Sequence, residues 1–147
     1  MASGITKWGA SYLLDTFFGQ RNNRPASFFV ALLTQAPGEQ ADGTLLSEPP
    51  VASGYARIEL PNDQVSWGQA AGGVIATTAS VFYATATADW PVITHYALCD
   101  AVVEGNVYLF GAFNVPRKVA AGDACRIAPN ALNLSIGSLT NALVSAF

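Results

Sequence analysis

Charge is what this sequence has least of. Seven Lys and Arg and ten Asp and Glu in 147 residues make 12%, about half of the ~25% that a typical soluble chain carries. The cations Lys7, Arg21, Arg24, Arg57, Arg117, Lys118 and Arg126 are scattered, and the formal net charge is −3. With no basic stripe to follow a phosphate backbone, nucleic acid is excluded as a partner. Histidine occurs once, at His95, mid-strand and with no positioned acid or base beside it, so it reads as structural. Cysteine occurs twice, at Cys99 and Cys125. There is no C-x-x-C and no Cys/His cluster, which removes the usual metal sites. The two residues are either buried free thiols, packing as small hydrophobes, or a disulfide if their strands adjoin. No apolar run reaches the ~20 residues of a membrane span. The opening Met-Ala-Ser-Gly lacks the basic and apolar regions of a signal peptide, so the expectation is a protein kept in the cytoplasm until it is assembled into something.

Catalytic patterns are also missing. There is no G-x-S-x-G nucleophile elbow and no phosphate-cradling loop followed by Lys and Ser or Thr. The acidic residues are thinly spread and sit mostly at turns, where Asp bonds its own backbone. No particular pair suggests a glycosidase, and Glu39, Asp42 and Glu48 are too sparse for a calcium loop. No catalytic residue, metal ligand or cofactor is expected, and the chain reads as a non-enzyme.

Apolar residues are present in quantity, at 51%. With so little charge on the remainder, a protomer that hides surface against copies of itself is favoured over a free monomer. Residues 5–18 predict the one helix. Ile5, Trp8 and Tyr12 recur at helical spacing, as do Leu13, Leu14 and Phe17, with Ser3 as N-cap and Gly19 as the C-terminal glycine. Most of its circumference is apolar or small, which predicts burial, against its own sheet or against a neighbouring copy. Residues 27–34 are apolar on both faces, as a central strand would be. Residues 35–53 form a long Pro- and Gly-punctuated loop, a length that usually serves a function or a contact. Short strands then follow at 55–60, 65–68, 74–78, 81–85, 92–99, 107–113, 124–128 and 132–136, with turns at 100–106 and 115–117. No βαβ alternation and no repeat is visible. The fold class is mainly β, an antiparallel β-sandwich or jelly-roll-like barrel with one N-terminal α-helix, in a single domain over residues 1–147. The end of the chain, residues 138–147, is an apolar tail. Trp67, Trp90, Tyr55 and Tyr108 belong either to the core or an interface, or to a carbohydrate-stacking surface for host attachment.

Taken in order, several segments resemble a family of small tailed-phage proteins often labelled tail-fibre-like. Gly9 to Asp15 resembles the family's opening helix, and Phe29-Val30-Ala31-Leu32-Leu33-Thr34 its "YVALLT" strand. Ser53-Gly54-Tyr55-Ala56-Arg57 is similar to its "GGGYAR" element. The segment from Ala84 through Asp89-Trp90 and on through Thr94-His95-Tyr96 to Ala101 is similar to "PTATADWGTVTHFGIFDA". Residues 106–112 and 119–123 continue the likeness, which spans about residues 5–136. Pro91 replaces a glycine of the pattern, Cys99 replaces an aromatic, and the tail is an addition. The resemblance implies a virion structural protein, made in the host cytoplasm and carried on the particle exterior. Capsid cement or decoration is the first expectation, because nothing fibrous such as heptads or a β-helix repeat is present. A tail-fibre or tail-associated component is the alternative. The partners implied are the chain itself, as a homo-oligomer with a trimer expected, and the phage's major capsid or tail proteins, with no membrane. The contact residues expected are Trp8, Tyr12 and Phe17 on the helix, Leu45 and Leu46 in the loop, and Leu143 and Phe147 in the tail.

Overall fold

A computed structural model describes residues 4–135. The tail, with the expected contacts Leu143 and Phe147, and the expected cap Ser3 lie outside the described residues. Strand β1 (Gly4–Ile5) leads into helix α1 (Lys7–Phe17), followed by β2 (Ser27–Leu33), β3 (Ile58–Pro61), β4 (Val74–Ala76), β5 (Val81–Phe82), β6 (Ile93–Cys99), β7 (Val107–Arg117), β8 (Arg126–Ile127) and β9 (Asn133–Ser135). Five of these strands form one antiparallel sheet in the order β1-β7-β6-β2-β3, and β4–β9 and β5–β8 form two antiparallel ribbons. The mainly β expectation holds. The barrel alternative does not, because the sheet stays open with β1 and β3 at its edges.

Both faces of the sheet are covered, which explains why β2 and β6 are apolar on both sides. On one face Val30, Leu32, Tyr96 and Leu98 pack with Val81 and Ile127 of a ribbon and with Tyr83, Trp90 and Leu132 from connecting segments. This gives a sandwich-like pair of layers. On the other face Ala31, Leu33, Ala97, Cys99, Val107 and Phe110 form a smaller cluster, with Phe29 and Leu46 against it. Simple alternation along β6 puts Ile93 on the face of Ala97 and Cys99. Ile93 instead joins the cluster of Tyr96 and Leu98, next to a register irregularity between Ile93 and His95 whose extra residues lie in β7.

Other differences from the sequence reading are local. The expected strand at 65–68 is reduced to one bridging pair, Trp67 with Thr77. The expected turn at 115–117 is the end of β7, which runs to Arg117. The N-cap of α1 is Thr6, whose Oγ1 accepts the Gly9 N–H at 3.0 Å. The same hydroxyl donates to the Val107 carbonyl, so one side chain both caps the helix and ties it to β7. Gly19 does follow the helix, at φ +95°, and the Gln20 N–H returns to the Asp15 carbonyl at 2.9 Å, the left-handed ending that glycine favours.

Burial of this helix against its own sheet, the first of the two expected alternatives, is only partial. Only Gly9 is buried, set so tightly against β7 that an added Cβ would stand 1.9 Å from the Tyr108 carbonyl oxygen. Trp8 and Tyr12 lie on the Tyr108 ring, while Leu13, Leu14 and Phe17 are exposed. Apolar residues surround this helix, but a helix resting on one strand near a sheet edge can cover only one strip of itself.

Candidate functional site

The most densely connected polar group is the guanidinium of Arg57, in the lead-in to β3. Its side chain is 3% exposed. Nε and Nη2 grip the Glu48 carboxylate in a fork, each at 2.9 Å. Nη1 donates to the carbonyls of Ala101 at 2.9 Å and Glu104 at 2.8 Å. Nη2 also donates to the Gly43 carbonyl at 2.9 Å. A guanidinium has five N–H donors, and here each has an acceptor. Glu48 in turn accepts the Tyr55 hydroxyl at 2.6 Å, and the Tyr55 oxygen accepts the Leu32 N–H at 3.0 Å. Arg57 thus joins the long loop to the β6–β7 hairpin, and Glu48 with Tyr55 extends the network to β2. Burial is the largest influence on Arg57 and works against its charge, but Glu48 and the neighbouring groups outweigh it and hold the guanidinium protonated. Burial and the Glu48 charge push the Tyr55 phenol well above its usual range.

Glycine makes this convergence possible. An added Cβ at Gly43 would fall 1.7 Å from the Glu104 carbonyl oxygen, and the Gly43 N–H donates to the Gly105 carbonyl at 2.8 Å. Around the hub lies a groove of about 350 Å³, with Arg57, Glu48 and Tyr55 among its lining and Val51, Val102 and Val103 at its rim. A second groove, of about 440 Å³, runs between the end of β7 and the β8–β9 segment, lined by Tyr96, Phe113 and Ile127 and by Arg117 and Arg126.

The sequence placed Glu48 among sparse loop acids and Arg57 among scattered cations, and missed their pairing. A signal was available, because the alternation of residues 55–60 sets Arg57 on the face of Tyr55. A cation on the face of a buried aromatic needs a carboxylate, and Glu48 lies nine residues upstream.

Cys99 and Cys125 are free and buried. Burial pushes the Cys99 thiol up to about 12, against the opposing pull of Arg57, and raises Cys125 as well, so both remain thiols and weak nucleophiles at neutral pH. His95 is half-buried, its Nδ1 is 2.7 Å from the Thr94 hydroxyl, and burial lowers its pKa. Among the described residues no three of His, Cys, Asp and Glu gather to hold a metal ion, and no helix is long and apolar enough to cross a membrane.

Trp67, Trp90, Tyr55 and Tyr108 are all buried. Trp90 Nε1 donates to the Ser53 carbonyl at 3.0 Å, and its ring meets Tyr55 edge-on at 5.5 Å. These four therefore offer no face to a sugar, which removes the carbohydrate-stacking surface and leaves the core reading. Of the expected contact residues, Trp8 and Tyr12 are half-covered by Tyr108, and Leu46 packs on the smaller cluster. Phe17 and Leu45 stand out in solvent.

A search of curated proteins finds no match. The profile of the family described as Podophage GP4 fiber I protein gp80 matches residues 4–135, which are the residues that carry the sheet, the ribbons, the helix and the Arg57 hub. That match spans nearly the whole chain, and the chain belongs to the Podophage GP4 fiber I protein gp80 family.

Proposed function

We propose that this chain is a non-catalytic structural protomer of a tailed-phage fibre, made in the host cytoplasm and carried on the particle exterior, where it binds copies of itself and neighbouring tail proteins. The observation that carries this reading is the family match over residues 4–135. It favours the fibre over the capsid cement that the absence of heptads and β-helix repeats had suggested. The chemistry of the hub agrees with a structural role, since the donors of the Arg57 guanidinium are all taken up in tying loop carbonyls and the Glu48 carboxylate together. Self-association is supported by the low charge of the chain and by the paired, exposed rings of Phe17 and Phe18.

The test is copy number per particle, by quantitative mass spectrometry of purified virions against the major capsid protein. A few to a few tens of copies is the expected result. A ratio near one to one would return the protein to the capsid as cement, and absence from the particle would overturn the structural reading.

A further inference from the structure

The end of β7 is a stretch of strand without a partner. Ala112 pairs with His95 and Arg117 with Ile93, so four residues of β7 stand opposite the single residue Thr94 of β6. On its other side β7 meets only β1, at Leu109 and Phe110. Residues 113–116 therefore pair with no strand among the described residues. That leaves the N–H groups of Phe113, Asn114 and Val115 for a further strand to pair with, while Pro116 has none to offer.

This stretch is one wall of the 440 Å³ groove. The floor reaches the main core at Leu32, Ile93 and Tyr96. The opposite wall is made by Asn130, Ala131 and Asn133, the last residues before the chain passes out of the described part. Ile136 follows Asn133 by three residues, at most about 11 Å of chain. The sequence of residues 136–147 has no charged side chain, and Leu139, Leu143, Val144 and Phe147 are apolar. Fully extended, these residues could reach about 40 Å, so the groove is well within their range.

We propose that residues of the 136–147 segment lie in this groove of their own chain, pairing by their backbone with residues 113–115 and setting apolar side chains on the floor. The occupant is the chain's own segment because it leaves from the wall of the groove. A tether this short holds it there at an effective concentration of order millimolar, against which copies and free peptides must compete. Adding a strand draws affinity from main-chain hydrogen bonds, and the unpaired stretch of β7 supplies their partners. The only charges in the lining are those of Arg117 and Arg126, and a segment without cations meets no repulsion from them. Seated in this way, the segment is a strap that covers an open strand, which would otherwise be a template for pairing with other chains. The inference is independent of where on the particle the protein sits.

The test is amide hydrogen exchange, read by mass spectrometry on three forms of the full chain. These are the natural chain, Leu139→Asp/Leu143→Asp/Val144→Asp/Phe147→Asp, and Val115→Asp. The fourfold change keeps the length of the segment and makes it charged. Val115→Asp puts a charge on the wall at a side chain that is 73% exposed, so it disturbs no core. In the natural chain the amides of residues 113–115 are expected to be protected. The fourfold variant should lose that protection, and Val115→Asp should lose protection in residues 139–147, while β2 and β6 exchange as before in both. Equal exchange at 113–115 in the natural chain and the fourfold variant would overturn the inference, as would a segment that Val115→Asp leaves as protected as before. Protection that disappears on dilution, together with a fall in size by light scattering, would overturn it too, because the segment would then belong to the groove of another copy. None of these results bears on the fibre reading, which copy number decides.

Discussion

Replacing Arg57 by Met is the sharpest test of the hub. Met keeps much of the side-chain volume but removes all five donors. The Glu48 carboxylate, 18% exposed, is then left without its counter-charge, and breaking a buried pair by removing one partner costs about 3–5 kcal/mol. The carbonyls of Gly43, Ala101 and Glu104 also lose a donor, but Gly43 and Glu104 border the groove, where water can replace part of what is lost. A net loss of about 4 kcal/mol follows, against a total stability of order 5–15 kcal/mol. In a domain this size it should lower the melting temperature by about 8–16 °C. Arg57→Lys keeps the charge but offers three donors on a point-like ammonium and cannot form the fork, so it should lose about 2 kcal/mol. In urea titrations, Arg57→Met with Glu48→Leu should be less damaging than the sum of the two changes by about 1–3 kcal/mol, the coupling expected of contacting residues. A loss below about 1 kcal/mol for Arg57→Met, or full additivity in the double-mutant cycle, would refute the reasoning and reduce the hub to a surface ion pair.

The other predictions test the helix and the buried titrating groups. Gly9→Ala drives a Cβ to 1.9 Å from the Tyr108 carbonyl oxygen and should cost about 3 kcal/mol or more; limited proteolysis should then cut first around the loosened helix. Gly19→Ala meets no neighbouring atom but must hold φ +95°, so denaturation should show a smaller loss of about 1 kcal/mol. Thiol titration should find no rapidly reacting cysteine in the folded protein and two after unfolding, because Cys99 and Cys125 are free and buried; a single disulfide-linked species under native conditions would contradict this. Burial raises Tyr55, Tyr83, Tyr108 and Cys99, with Tyr108 and Cys99 pushed up to about 12. The folded state therefore holds protons that the unfolded chain releases from its ordinary values of 9.0 for thiols and 10.0 for phenols. Their contribution to stability is complete below about pH 9 and declines as pH rises through those values toward 12 and beyond. Melting temperatures should fall across that window with phenolate absorbance appearing at the transition, and a flat profile to pH 11 would count against the burial of these groups.

Much of the β architecture was legible because it depends on local patterns. The two-sided apolar run of β2, the hairpin joining β6 to β7 and the ending of α1 at Gly19 all follow from alternation, turn residues and caps. The misreadings arose where tertiary context overrides the pattern. Thr6 caps the helix in place of Ser3 because its hydroxyl can also reach β7. The facing of Ile93, at the irregular end of the β6–β7 pairing, departs from what alternation along β6 encodes. The hub was the least legible part, because its acceptors come from positions 43, 48, 101 and 104, and three of them are backbone carbonyls, which carry no residue signature.

The low charge of the chain acquires a specific meaning once the exposed side chains are separated into scattered and grouped. Val65 and Val115 stand singly in solvent, which is ordinary for a folded surface. Phe82 is exposed too, with the Arg126 guanidinium 5.9 Å above its ring. Phe17 with Phe18, and Val51 with Val103 beside the groove, are grouped, and grouped exposure carries information about partners. Composition pointed to surface hidden against copies and assigned much of it to a buried helix. Trp8 and Tyr12 of that helix pack on Tyr108, while Leu13, Leu14 and Phe17 stay exposed and are not covered within the protomer. An apolar face left open on a chain with so little charge is the feature that the proposed self-association would account for.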